Sequence, residues 1–99
     1  MIAYEVIADV REELRSRYDV FMRDRHIPDV LATGLAVGAQ FDRTEEGRYR
    51  VRFAFADRAS LDKYLSIHVA RLRADFIAHF PEGVTLGREV WSELRKWPH

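Results

Sequence analysis

The chain has no cysteine but four histidines and four tyrosines, so imidazole is the group best suited to exchanging protons near neutral pH. Two histidines stand where that could matter. His26 continues a helical stripe through Leu14, Tyr18, Phe21 and Met22. At a helix end it could act as general acid or base at the mouth of a pocket. The commoner use of such a residue is to close the core edge and bond a backbone carbonyl of the turn at Pro28. His68 falls in the middle of a second stripe, Leu61, Leu65, His68, Leu72 and Phe76. A buried imidazole there needs a partner, which Tyr4 or Tyr18 could supply across the gap between helix and sheet. The same His–Tyr pair would serve proton transfer, although a satisfied core histidine is the more frequent arrangement. His26, His68, Tyr4 and Tyr18 are therefore the ligand-pocket candidates, and no catalytic residue is assigned.

Other chemistries find less support. No two histidines have the i, i+4 spacing of a helical metal site and there is no HExxH, so no metal is expected from His26, His68, His79 and nearby carboxylates. The glycines form no phosphate-binding loop, and Ser60, Ser66 and Ser92 lack a nucleophile-elbow context; no cofactor is expected. Sixteen basic residues balance sixteen acidic ones, so no overall field draws the chain to nucleic acid or an anionic membrane. Arg48, Arg50 and Arg52 share one strand face, which invites an RNA reading. That mode needs aromatics on the same face, and here Tyr49, Val51, Phe53 and Phe55 take the opposite one. The arginines are better read as ion-pair partners of Glu5, Glu89 or Glu93, within the sheet or across a subunit boundary. Glu5, Arg50, Arg52, Trp91 and Trp97 are the dimer-interface candidates, with Trp97 read as an anchor on another subunit.

The elements that must position these residues follow from periodicity. Ile2 to Ala8 alternates with both faces largely apolar, as a central strand should. Asp9, followed three residues later by Glu12, resembles a capping box and starts the first helix. The stretch His26-Ile27-Pro28-Asp29-Val30-Leu31-Ala32-Thr33-Gly34 ends that helix. Pro28 belongs in the first turn of a short second helical segment, and Gly34 in the left-handed conformation that closes it. Leu35, Val37, Ala39 and Phe41 form one face of the second strand, and Ala36, Gly38 and Gln40 the other. Asp42 to Gly47 is a hairpin loop leading to the arginine strand. Asp57 caps a helix running unbroken to about Phe80, Val84 to Leu94 is the fourth strand, and Arg95 to His99 is a short tail. The order βαββαβ is ferredoxin-like α+β: a four-stranded antiparallel sheet with two helices on one face, expected as a single domain over residues 1–99. The chain opens directly on a strand pattern, so neither signal peptide nor membrane span is expected, and the cytoplasm is the default location.

Four stretches carry a family likeness: Ile2-Ala3-Tyr4-Glu5-Val6, the nine residues from His26 to Gly34, Tyr64-Leu65 through His68 to Leu72-Arg73, and Phe80-Pro81-Glu82-Gly83-Val84 leading to Arg88-Glu89-Val90-Trp91. In these the chain resembles a bacterial family of small proteins carried as a domain of unknown function, within the ferredoxin-like dimeric α/β-barrel superfamily. Family members usually carry a proline shortly after the second-helix histidine, whereas Val69-Ala70 follow His68 here. The resemblance implies a homodimer whose two sheets face each other, and no established activity. Superfamily relatives include cofactor-free monooxygenases and polyketide cyclases that bind small apolar molecules between sheet and helices, but shared fold does not transfer chemistry. Two functions follow as expectations. One is a homodimeric scaffold or binder of a small apolar molecule, with Phe21, Met22, Phe53, Phe55 and Leu72 filling the space under the helices. The other is a cofactor-independent enzyme of monooxygenase or cyclase type using a His/Tyr pair. The latter calls for a cavity of roughly 300 Å³ or more with a histidine in its wall.

Overall fold

The apolar alternations produce strands Ile2–Val10 (β1), Ala36–Arg43 (β2), Arg48–Phe55 (β3) and Val84–Ser92 (β4). The computed structural model, which describes residues 1–98, arranges them as one antiparallel sheet in the order β2-β3-β1-β4. His99, the last residue of the expected tail, lies outside the described residues. β1 is central, as its two apolar faces require. Helical segments Arg15–Phe21 (α1), Ile27–Ala32 (α2), Arg58–Ile67 (α3) and Val69–His79 (α4) lie on one side, giving the ferredoxin-like α+β fold. On the helix-ward side, Tyr4 and Ala8 of β1 meet Tyr49, Val51, Phe53 and Phe55 of β3 in a core that includes Tyr18, Leu61, Tyr64 and Leu72. Arg48, Arg50 and Arg52 are exposed on the other side. A shift of β3 by one residue would bury three guanidiniums, which fixes its register.

Four expectations need correction. Asp9 caps no helix; β1 continues through Val10, with Asp9 opposite Arg48 and Thr85, and helical structure begins at Glu12 as a 3-10 turn. Two ladder neighbours outweigh one local capping bond. At Val37 a bulge between Ala36 and Gly38 adds an unpaired residue, so Ala36 turns inward and Val37 is 61% exposed. The chain does not turn at Pro28. Ile27 keeps helical angles (φ −63°, ψ −46°), and Met22–His26 forms a π-helical turn between α1 and α2. Its wider loop, in which the Ile27 N–H donates to the Met22 carbonyl, makes room for a proline ring that would otherwise strike the preceding turn. The real turn is at Gly34 (φ +76°). Finally, the helix after Asp57 breaks at His68 (φ −110°, ψ −32°) without a proline. Leu61 and Tyr64 are buried on α3, but Val69, Leu72 and Phe76 on α4. The break rotates the stripe so that both halves keep an apolar face in the core. Asp57 does cap α3, accepting from the Ser60 N–H at 2.8 Å.

A Cβ at Gly34 would touch nothing within 4 Å, so only its left-handed backbone resists substitution. Gly34→Ala is expected to cost about 1–2 kcal/mol, and Gly34→Asn less, measured by urea unfolding.

Candidate functional site

Between α4 and the sheet, on the side of edge strand β4, the core opens into a cleft of about 240 Å³. Two features make it. The helix-ward side chains of β4 are Val84, Leu86, Arg88 and Val90, placed by their register against Val10, Ala8, Val6 and Tyr4. No helix covers this strand fully; Val84 and Leu86 are half-buried and Arg88 and Val90 exposed. The break at His68 meanwhile turns Val69, Leu72 and Phe76 onto the cleft, completing an apolar wall with Met22, Val51 and Phe53.

Tyr4, Tyr18, Tyr64, His26, Arg73 and Arg88 supply its polar groups. Arg73 donates from Nη2 to the Tyr4 hydroxyl at 3.1 Å. Burial and neighbouring Tyr4 push the Tyr64 phenol up to about 12, despite the opposing guanidiniums of Arg73, Arg71 and Arg88. The Tyr18 phenol is raised further, by burial and by Tyr49 with its ring centroid at 4.8 Å. Both tyrosines are therefore neutral donors at physiological pH.

His26 lies at the end of the π turn, stacked on Phe21 and edge-on to Phe76. Part of its ring reaches solvent, but Nδ1 is enclosed and bonds to nothing among the described residues. Desolvation lowers its pKa below the ordinary 6.5, helped by Arg88 and opposed by Asp29 and Asp75. The ring is neutral at pH 7. The expected bond from His26 to a carbonyl of the Pro28 turn is absent through Nδ1.

The pH consequence follows from that lowered value. An unfolded chain takes up the His26 proton before the folded one, so stability falls as pH drops below about 6.5 and stops falling below the folded-state pKa. In His26→Phe this contribution to the acid slope should vanish, as seen by comparing urea midpoints at pH 5 and pH 8.

Of the four pocket candidates, the structure brings His26, Tyr4 and Tyr18 to one cleft. His68 does not join them. It is half-buried at the α3–α4 junction and lines no part of the cleft, because the rotated stripe gives its place to Val69. Of the residues expected to fill the space, Met22, Phe53 and Leu72 line it. Phe55 is fully buried, and Phe21 packs outward against His79, ring centroids 4.7 Å apart. Sequence reasoning missed Arg88, Arg73 and Tyr64. Arg88 had a signal: it interrupts an apolar alternation of Val84, Leu86 and Val90 on the inward parity of β4.

The dimer-interface candidates lie on or beside the sheet face away from the helices. Glu5 is 8% exposed there, with Arg52 at 3.6 Å. Arg50 pairs with Asp42 at 2.9 Å and Arg48 with Asp9 at 3.4 Å, rather than with Glu89 or Glu93. Trp91 is half-exposed on this face, and Trp97 lies under the Arg95 guanidinium 4.6 Å from its ring. Among the described residues, no helix is long and apolar enough to cross a membrane, and no three His, Asp or Glu side chains are grouped as a metal site.

Residues 1–94 match a family profile described as "Domain of unknown function (DUF4286)". None of the curated proteins compared matches the chain. Several solved structures share its fold. A variant of SnoaB, a cofactor-independent oxygenase from Streptomyces nogalater, has TM-score 0.76 at 10% identity, covering 99% of this chain and 98% of that one. A dimeric ferredoxin-like protein from an uncultured marine organism gives 0.75 at 10% identity, covering 96% of each. An EthD family protein from Bacillus halodurans gives 0.70 at 14% identity, covering 95% of this chain and 100% of that one. At such identities the likeness is one of fold.

Proposed function

We propose that this chain, which belongs to the DUF4286 family of domains of unknown function, is a homodimeric α/β-barrel protein that binds a small apolar molecule between its helices and its sheet. The observation that carries the binding is the cleft itself. Its walls are largely apolar, and the residues that carry its polar groups come from α4, β4, β1 and the π turn. A chain selected only for a solid core would close that space with one larger side chain. The dimer is supported by the face opposite the helices, where Ala3, Ile7 and Trp91 surround the Glu5–Arg52 pair. One structural neighbour is itself described as dimeric.

A neutral fluorescent probe, N-phenyl-1-naphthylamine, tests the binding. Saturable uptake of one probe per chain is expected, together with its loss in Leu86→Trp, which fills the cleft mouth from a half-exposed edge position. No saturable uptake by the dimer would favour a scaffold.

A second reading is favoured by one observation, the neutral imidazole of His26 in the wall of the cleft that Tyr4 and Tyr18 also line. Such a ring is suited to accept a proton from an acidic C–H or O–H of the bound molecule. The expected mark is deuterium exchange at an activated C–H of a bound ligand, abolished in His26→Gln while affinity stays the same. Exchange that persists in His26→Gln would exclude His26 as the base.

A further inference from the structure

The charges around the cleft are one-sided. Among the residues lining it are two arginines and one histidine, and no aspartate or glutamate. The chain as a whole carries equal numbers of acidic and basic residues, so this is a local concentration and not a property of the composition. Among the described residues half of the fourteen arginines pair with a carboxylate, for example Arg25 with Asp75, Arg50 with Asp42, Arg58 with Asp62, Arg23 with Asp19 and Arg52 with Glu5. Arg73 and Arg88 belong to the other half, and they are the two arginines that line the cleft. Among the described residues neither has a carboxylate within salt-bridge distance, and the one side-chain hydrogen bond of Arg73 goes to the Tyr4 hydroxyl. The acids that do influence the site, Asp29 and Asp75, act on His26 from outside the lining. Asp75 is moreover held by two hydrogen bonds from Arg25, at 2.7 and 2.8 Å.

Arg88 sits on the sheet face that strands otherwise reserve for apolar side chains, opposite Val6 and flanked along β4 by Leu86 and Val90. Arg88 is exposed at the open side of the cleft, so its guanidinium can meet an anion there without first giving up an acidic partner.

We propose, building on the ligand-binding reading above, that the cleft selects molecules with an apolar body and one anionic oxygen group, a carboxylate or an acidic phenolate, which Arg73 on α4 and Arg88 on β4 hold between them. The aliphatic and aromatic wall takes the body. The guanidiniums supply charge-assisted hydrogen bonds to the oxygens, and the neutral Tyr18 and Tyr64 hydroxyls add donors without competing charge. A neutral His26 tolerates two nearby cations where an imidazolium would not.

The test compares 2-naphthoate with naphthalene-2-methanol, which share a ring system and differ in charge, by calorimetric titration of the full chain at neutral pH. Naphthoate is expected to bind at least about tenfold more tightly, with an advantage that shrinks as salt rises. In Arg88→Met that advantage should fall to about two- or threefold while affinity for the alcohol is unchanged, a split that loss of fold would not produce. Arg88→Lys, which keeps the charge, should retain part of it. Equal affinity of the native protein for both compounds would overturn the anion preference and leave the cleft as a neutral apolar site. Binding of neither would overturn the preference and the ligand-binding reading together.

Discussion

Tyr18→Ala is expected to destabilise the protein by about 3–5 kcal/mol, a large share of the roughly 5–15 kcal/mol that holds such a domain together. Tyr18 is 2% exposed and is the hub of the aromatic cluster under the helices. Its ring lies 4.8 Å from Tyr49, 5.8 Å from Phe80, 6.2 Å from Phe76 and 6.3 Å from Phe41, so it joins α1 to β2, β3 and the end of α4. Truncation removes the contacts of all four at once and enlarges a space that is already partly open, which limits collapse around the void. Tyr18→Phe keeps the ring and should cost about 1 kcal/mol or less. It removes a hydroxyl from the cleft wall, however, so its effect should appear in ligand affinity. Urea unfolding of both variants separates these roles. A loss below about 2 kcal/mol for Tyr18→Ala would mean that the cluster is held together without its centre.

Trp91→Ala should weaken self-association about thirtyfold, or about 2 kcal/mol. Trp91 is the largest apolar side chain on the sheet face away from the helices, and 48% of it is exposed in the isolated chain. It stands opposite Ala3 on β1, next to Ser92 at the end of β4, where the tail carries Leu94 and Trp97 out at 96% and 66% exposure. A small neighbour across the ladder leaves the indole free to enter a facing sheet. Sedimentation equilibrium of the native chain and of Trp91→Ala measures the change. Val37→Ala, which trims another exposed side chain at the β2 bulge, is the control and should leave association unaltered. A dimer indifferent to Trp91 would have its interface elsewhere.

Where a residue's role depends on its immediate neighbours, the amino-acid order was informative. The alternation of Arg48, Arg50, Arg52 and Ala54 with Tyr49, Val51, Phe53 and Phe55 places β3 without ambiguity, Asp57 caps α3, Pro28 stands in the first turn of α2, and Gly34 takes a positive φ. Tertiary contacts decided the rest. Asp9 has the spacing of a helix cap but is held in the sheet between Arg48 of β3 and Thr85 of β4. Val37 fits its alternation until the bulge moves it, and nothing in Leu35-Ala36-Val37 marks where the ladder skips. His68 sits at the centre of a well-formed stripe, yet the helix breaks there and the buried face continues through Val69, Leu72 and Phe76. The site was legible in the same measure. Tyr4, Tyr18 and His26 belong to elements whose inward faces could be assigned, whereas placing His68 required knowing that the helix breaks. Arg88 was hidden by habit more than by physics, because inward parity on an edge strand is readable and a charge on it is the informative exception.

The two outer strands of the sheet present different risks. On β2 the bulge at Val37 interrupts the row of backbone donors and acceptors, so a foreign strand could pair only over short lengths. On β4 the nine residues from Val84 to Ser92 are regular along β1 and meet no further strand. A population of separated subunits would therefore be one-sidedly adhesive. Chain growth by strand addition would start at β4 and find no equally receptive edge at β2, favouring paired misassembly over long fibres. Variants that weaken self-association should accordingly be judged by how they aggregate as well as by how tightly they pair.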